Sequence, residues 1–323
     1  MRIALACPAA PGSLSGNRRT ALRYRAILRS LGHSTRVIGD ANEISPRDDL
    51  LIALHARKSA AAIEAWRATH ADRPIVLVLT GTDLYEERTR SATVAASMAA
   101  ATRIVVLQAD AKRYLSKSIA AKTWVAKTRI IVQSATTPAR PSLPIHSHFD
   151  VCVSGHLRSV KDPLRAAMAS RLLPAESRIR ILQIGACLDD SWMRRVQREH
   201  ERNPRFRYLG SLPHHRALHR LARCRLLVVS SRSEGGPNVV SEAIACGVPI
   251  LGSRISGIVG LLGPHYPGYF AFGDTRALAS LLLKAETDAK FYQGLREQVL
   301  RLQRFVDPQT ECTAWRELLT ELT

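Results

Sequence analysis

Glu234-Gly-Gly-Pro-Asn-Val-Val-Ser-Glu242 sets two carboxylates eight positions apart around a glycine turn. Upstream, Arg223-Cys-Arg-Leu-Leu-Val-Val-Ser-Ser231 reads as a buried strand; downstream, a helix with small residues runs on to Gly247-Val-Pro249. Strand, glycine turn and helix, with acids on both sides of the turn, suit a sugar nucleotide. The bare amides of Gly235, Gly236 and the helix start at Asn238 and Val239 can meet a diphosphate. The carboxylates of Glu234 and Glu242 can accept hydrogen bonds from hydroxyls of a hexose and a ribose. They would repel a phosphate, so they must reach its neighbours. The bland alternative is an acidic helix cap packed with small residues.

A second cluster is cationic. In Val151-Cys-Val-Ser-Gly155-His156-Leu-Arg158-Ser-Val-Lys161-Asp-Pro163 a strand ends in glycine and cations follow before a helix. A departing nucleotide diphosphate gains charge in the transition state, and fixed cations lower that barrier. Lys161 and Arg158 are the candidates, against the alternative of solvated loop residues. His156 fits an orienting or purely structural role as readily as ligand contact. In the first half, Pro8 to Thr20 is a glycine-rich loop carrying Gly16, Asn17 and Arg18, without the spacing of a P-loop or a GxGxxG fingerprint. Two further strand ends carry His55, Arg57 and Lys58, then Thr82 and Asp83; Gln108 and Gln133-Ser134 follow later strands. Cations and hydroxyls at these ends suit a small anionic acceptor, and helix caps or core-edge residues are the competing account. His214, His215 and His219 include an i,i+4 pair with no acid partner in view, so a surface helix is expected there rather than a metal site.

The elements that must position these groups alternate regularly. Strands read at 2–6, 34–38, 50–54, 75–79, 103–107 and 129–132, with helices near 18–31, 57–70, 91–100 and 110–118. Near-continuous apolar strands between helical patterns imply a parallel sheet covered on both faces. Residues 135–149 hold three prolines and no periodicity, which marks a linker. The pattern then restarts, with strands near 150–154, 179–184, 206–209, 225–229 and 249–252 and helices at 274–286, 289–303 and 308–321. The expectation is an α/β chain of two Rossmann-like, doubly wound domains facing a cleft: 1–135, a linker at 136–149, 150–305, and a last helix at 306–323. In such sheets ligands bind at the carboxyl ends of strands.

Composition narrows the classes. At 323 residues with 46% hydrophobic residues there is room for two real cores, built from aliphatics because aromatics are only 5%. No apolar run approaches the ~20 residues needed to span a bilayer. The start, Met1 to Cys7, faintly resembles a lipoprotein signal but is too short in its apolar part, so a first strand is expected. Six scattered cysteines without Cys-x-x-Cys argue against a disulfide framework or zinc site and for a reducing cytoplasm. The net charge of +20 admits nucleic acid, an anionic membrane surface or small anionic substrates. Basic residues are spread along the chain with no interleaved aromatics, which counts against nucleic acid. The arginines at 18, 19, 23, 25 and 29 make the first helix basic, either as a membrane-facing surface or merely as a compositional habit; stable membrane association is not expected.

The string from Glu234 to Pro249 resembles the donor-site motif of the GT-B glycosyltransferases that include glycogen, sucrose and lipopolysaccharide synthases. The resemblance implies that Glu234 contacts the transferred sugar and Glu242 the ribose. It implies too that Lys161 is the lysine holding the diphosphate, with His156 where arginine is usual and Arg158 two residues on. Ser15-Gly-Asn-Arg18, Leu54-His-Ala-Arg-Lys-Ser59, Leu79-Thr-Gly-Thr-Asp-Leu-Tyr85, Gly155-His-Leu-Arg, Val259-Gly-Leu-Leu-Gly263 and Tyr266-Pro-Gly-Tyr269 extend the set. Together they resemble the selenosugar synthase branch of that fold, from selenoneine biosynthesis. That likeness implies UDP-N-acetylglucosamine and selenophosphate as substrates, a new carbon–selenium bond at the anomeric carbon, and no metal or other cofactor. Gly16, Asn17, Arg18, His55, Arg57, Lys58, Thr82 and Asp83 would then serve the acceptor. An ordinary glycosyltransferase using a hydroxyl acceptor, and a non-catalytic sugar-nucleotide-binding protein, are the alternatives.

Overall fold

A computed structural model describes residues 1–13, 15–85, 91–115, 121–138 and 147–322. Residues 139–146 of the expected linker, residues 116–118 of the expected fourth helix and Leu14 of the first glycine-rich loop lie outside the described residues. The chain divides into two compact units: Met1–Gln133 with Glu234–Gly236 and Pro308–Thr323, and Ser134–Ser233 with Pro237–Asp307.

The first unit is built on β1 (Arg2–Ala6), β2 (Ser34–Ile38), β3 (Leu50–Leu54), β4 (Ile75–Leu79), β5 (Arg103–Val106) and β6 (Thr128–Ile130). All pair in parallel, in the order β2-β1-β3-β4-β5-β6. Because side chains alternate across a strand, each apolar run feeds two cores. Ala4, Ala6, Leu51, Ala53 and Leu77 pack on one face with Ile63, Trp66 and Met98. Ile3, Leu5, Ile52, Leu54 and Val78 pack on the other with Tyr24 and Leu28. Helix Gly16–Ser30 begins where Ser15 caps it, its hydroxyl accepting from Arg18 N at 3.3 Å.

Helix Pro308–Thr320 packs within this same unit. Trp315 is fully buried in the second core and meets Tyr24 edge-on, ring centroids 4.7 Å apart. Burial, reinforced by the nearby Glu311 carboxylate, pushes the Tyr24 phenol well above its ordinary range. Just beyond the helix, Glu321 receives Arg103 Nε and Arg129 Nη2, each at 2.8 Å. The hydrogen bonds from Arg129 and then Arg103 hold its carboxyl at about 2.

The second unit holds β7 (Phe149–Ser154), β8 (Ile179–Ile184), β9 (Phe206–Tyr208), β10 (Leu226–Val229), β11 (Ile250–Ser253) and β12 (Tyr269–Phe270). They too are all parallel, ordered β12-β11-β10-β7-β8-β9. Both sheets are doubly wound, and each has one place where neighbouring strands send their crossovers in opposite directions. In the first it lies between β1 and β3, in the second between β7 and β10; open α/β sheets bind ligands at the carboxyl ends of strands at such points. All six cysteines are free. Among the described residues, no helix is long and apolar enough to cross a membrane.

The two contacts of the C-terminal segment differ in kind, and so should their removal. Trp315→Ala is expected to cost about 3–5 kcal/mol by opening a core cavity, and Glu321→Gln at most about 1 kcal/mol because exposed pairs are weak. The Glu321 carboxyl is depressed by folding, so its contribution is present above its unfolded value and lost as pH falls through about 2. Urea titrations at pH 7 and at acid pH check both: the Glu321→Gln difference should vanish toward pH 2, and the Trp315→Ala difference should not.

Candidate active site

The loops after β7 and β10 meet in a joint whose acceptors are backbone carbonyls. After β7 the chain passes Gly155, His156 and Arg158 and makes a single 3-10 turn, Ser159–Lys161. Asp162 closes that turn with φ +45, a left-handed conformation costly for a residue with a Cβ. Arg165 holds it there, Nε donating to Asp162 Oδ2 at 2.7 Å and Nη1 to Thr275 Oγ1 at 2.7 Å. Ser230, the first residue past β10, donates its hydroxyl to the carbonyls of Lys161 at 3.2 Å and Asp162 at 2.8 Å. Arg232 N donates to Val160 O at 2.8 Å. A Cβ built on Gly155 would lie 4.0 Å from Lys161 Cδ, so the lysine stem passes over the strand end.

His156 Nδ1 accepts from Ala186 N at 3.2 Å, which in the neutral ring puts the proton on Nε2. Leu157 bridges Cys187 beside it. Gly185, at φ +149, has no room for a side chain: a Cβ there would run into the Gly155 carbonyl and come within 3.0 Å of His156 N. Arg158 is exposed and Lys161 half-buried. The structure thus gathers His156, Arg158 and Lys161 at one strand end, and anchors them from the next.

Helix Asn238–Ala245 follows in the same unit, with Pro237 ahead of it supplying no side-chain cap. Its far end explains the Gly-x-Pro of the sequence string. Gly247, at φ +66, donates to Ile244 O and Val248 to Ala243 O, the paired bonds of a left-handed helix stop, and Pro249 cannot continue the helix. Asn238 and Val239 are half-buried on its first turn. Glu242, one turn on, is 8% exposed, and its carboxylate meets His214 Nε2 at 3.1 Å. Sequence reading left His214 without an acid partner; the fold supplies one 28 residues away, which no local spacing could show. Burial, then the Glu242 charge, push the neighbouring Cys246 thiol up to about 11.

Glu234, Gly235 and Gly236 group with the first unit. There a Cβ on Gly235 would run into Thr80 O and lie 2.8 Å from Gly81 N, and one on Gly236 would lie 2.6 Å from Leu107 Cβ. Glycine is required at both by close backbone approach rather than by φ.

In the first unit the residues after β1 and β3 flank its switch point. Gly16, Asn17 and Arg18 form the first turn of helix Gly16–Ser30. After β3, His55 has φ +72 and is buried. Its Nε2 lies 3.0 Å from Thr82 Oγ1, and its Nδ1 accepts from Lys58 N at 3.4 Å. Arg57 and Lys58 beside it are exposed. Helix Ala60–Thr69 starts three residues later than the sequence pattern suggested, because this left-handed turn occupies the space. Asp83 is fully buried and accepts from Ala56 N at 3.0 Å, Thr80 N at 3.0 Å and Gly81 N at 2.8 Å. That carboxylate ties two strand-end loops together. Gln108 donates to Tyr85 Oη at 2.6 Å and accepts from Ala111 N at 3.1 Å. Among the described residues no group of three His, Cys, Asp or Glu side chains is placed to hold a metal ion.

Two open parallel sheets with these loops define a GT-B fold, and comparison with known proteins agrees. The family model described as "Glycosyl transferases group 1" matches residues 137–300, half of the chain, which therefore belongs to that family and is a glycosyltransferase. The chain is 28% identical over 268 residues to "Glycosyltransferase 1 domain-containing protein 1" of Xenopus tropicalis, covering 75% of this chain and 76% of that one. Among solved structures, Anabaena HepE in complex with UDP and glucose is similar at TM-score 0.76 and 17% identity, covering 100% of both chains. Sucrose-phosphate synthase from Thermosynechococcus elongatus gives 0.75 and 17%, covering 99% of this chain and 98% of that one. A UDP-forming trehalose-phosphate synthase from Burkholderia vietnamiensis gives 0.71 and 15%, covering 96% and 82%. At such identities the likeness establishes the fold.

Removing the Asp83 carboxylate leaves three backbone amides without that acceptor, those of Ala56 and Gly81 buried and that of Thr80 half-buried. Asp83→Ala is expected to destabilise the first unit by about 2–4 kcal/mol, since each unsatisfied buried donor costs about 1–3 kcal/mol. Denaturant unfolding measures it; a loss below about 0.5 kcal/mol, ordinary for a surface substitution, would deny the side chain this bracing role.

Proposed function

We propose that this glycosyltransferase uses a UDP-sugar donor, UDP-N-acetylglucosamine, and selenophosphate as acceptor, acting as a selenosugar synthase. The observation that carries the donor half is the joint at β7 and β10, where Ser230 holds the Lys161 carbonyl and Arg165 braces the adjoining Asp162 at the switch point of the sheet. Lys161, with Arg158, stabilises the negative charge that develops on the departing diphosphate. Glu242 receives the ribose hydroxyls and Glu234 those of the hexose. Gly235, Gly236, Asn238, Val239 and His156 line the donor. The UDP complex of HepE and the UDP-forming trehalose-phosphate synthase support a uridine nucleotide.

The acceptor half rests on the sequence resemblance and on the loops at the first sheet's switch point. Arg18, Arg57 and Lys58, with Gly16, Asn17, His55 and Thr82, suit a small multiply charged anion. Asp83 spends its carboxylate on backbone amides and serves by bracing those loops. Selenium in selenophosphate is anionic and needs no general base. It attacks the anomeric carbon while the bond to the UDP oxygen breaks and its electron pair leaves on the diphosphate. Water then cleaves the phosphorus–selenium bond, giving phosphate and the selenosugar. A chain carrying +20 favours capture of such an anion, increasingly so at low salt.

Lys161→Ala is expected to lower kcat by about 10²–10³, and Lys161→Arg to be impaired as well because the two cations differ in geometry. The deciding assay gives the purified protein UDP-N-acetylglucosamine with selenophosphate or with hydroxyl acceptors, and follows products by mass spectrometry. A selenium-containing sugar is the expected product. Glycosylation of a hydroxyl with no selenosugar would overturn the acceptor and leave the donor. A Lys161→Ala enzyme with near wild-type kcat would remove that lysine from the mechanism.

A further inference from the structure

The contact between His214 and Glu242 has a use beyond packing. Glu242 sits on helix Asn238–Ala245 among buried Val240, Ala243 and Ile244, and only 10% of its side chain is exposed. His214 opens helix His214–Ala222, its side chain 49% exposed, and reaches Glu242 Oε1 through Nε2 at 3.1 Å. An ionised carboxylate only accepts, so Nε2 carries the hydrogen and donates. The helix holding His214 is itself fixed by Leu218 and Leu221, both buried. A rigid element thus grips one oxygen of a flexible side chain.

We infer that His214 is a positioning residue that fixes the Glu242 carboxylate for recognition of the donor's ribose diol, an inference that rests on the donor reading above. A glutamate loses much rotamer freedom when it is held. Where a protein partner holds it before the ligand arrives, the nucleotide need not, and affinity rises by preorganisation. The role is specific to the sugar: the diol donates to the carboxylate, and the phosphates are bound elsewhere.

The test measures UDP and 2′-deoxy-UDP binding by calorimetry for the wild type, His214→Ala, His214→Gln and Glu242→Gln, and for the double variant His214→Ala/Glu242→Gln. The wild type should prefer UDP. His214→Ala should weaken UDP about tenfold, the scale of one charge-assisted hydrogen bond, while 2′-deoxy-UDP changes little, so the preference for the ribose collapses. His214→Gln, which keeps a donor, should recover most of it. In the Glu242→Gln background, His214→Ala should have a much smaller effect, because the pair acts as a unit. Thermal melts confirm that each variant is folded. Unchanged UDP affinity in His214→Ala, or equal losses for the two nucleotides, would overturn the role of His214 alone. A wild type that binds neither nucleotide would overturn the donor reading, and this inference with it.

Discussion

The hydroxyl of Ser230 donates to two carbonyls, those of Lys161 and Asp162, and through them one crossover loop is fastened to another. Those loops belong to β7 and β10, neighbours in the sheet whose connections leave in opposite directions. A doubly wound sheet has both faces covered, so its only open edge for chemistry is the row of strand ends, and the reversal of order leaves a crevice there. At that crevice the loop carrying Lys161 is held still by the side chains of Ser230 and Arg165. The left-handed Asp162, braced by Arg165, shows the strain this entails. Gly185 and Gly155 pack so closely beside it that a Cβ at Gly185 would overlap the Gly155 carbonyl.

The first unit meets the same demand with different means. Its switch point lies between β1 and β3, and the loop after β3 is also forced into a left-handed residue, His55. Here the brace is a buried carboxylate. Asp83 collects amides from Ala56, Thr80 and Gly81, so the loops after β3 and β4 form one rigid piece. Ser59 and Ser97 add hydroxyls to the carbonyls of Leu54 and Ala56. Strained or braced residues thus cluster at both sheets' strand ends.

Most strands were legible because burial on both faces writes continuous apolar runs into the sequence: β1, β3, β4 and β8 fall where those runs lie. The family motif was legible because its glycines answer to contacts that leave no room for a Cβ. Other elements lacked any such signature. β12 is a two-residue edge strand, Tyr269–Phe270, too short for a pattern. The late start of helix Ala60–Thr69 follows from the backbone of His55, which a periodic sequence does not encode. The partnership of His214 with Glu242 joins two separate helices, so it exists only once those helices have packed against each other. Asp83 read either as an acceptor residue or as a helix cap, and Thr80-Gly-Thr-Asp83 did not show that one of its oxygens would reach the amide of Ala56 on another loop.

Hydrogen–deuterium exchange of the wild-type enzyme, with and without saturating UDP, tests the donor assignment most directly. The expected result is slowed exchange in residues 154–162 and 230–242, the loops after β7 and β10, with little change at the edge strands β9 and β12. Protection confined to other segments, with both of these loops unaffected by a bound nucleotide, would contradict the placement of the donor at this switch point.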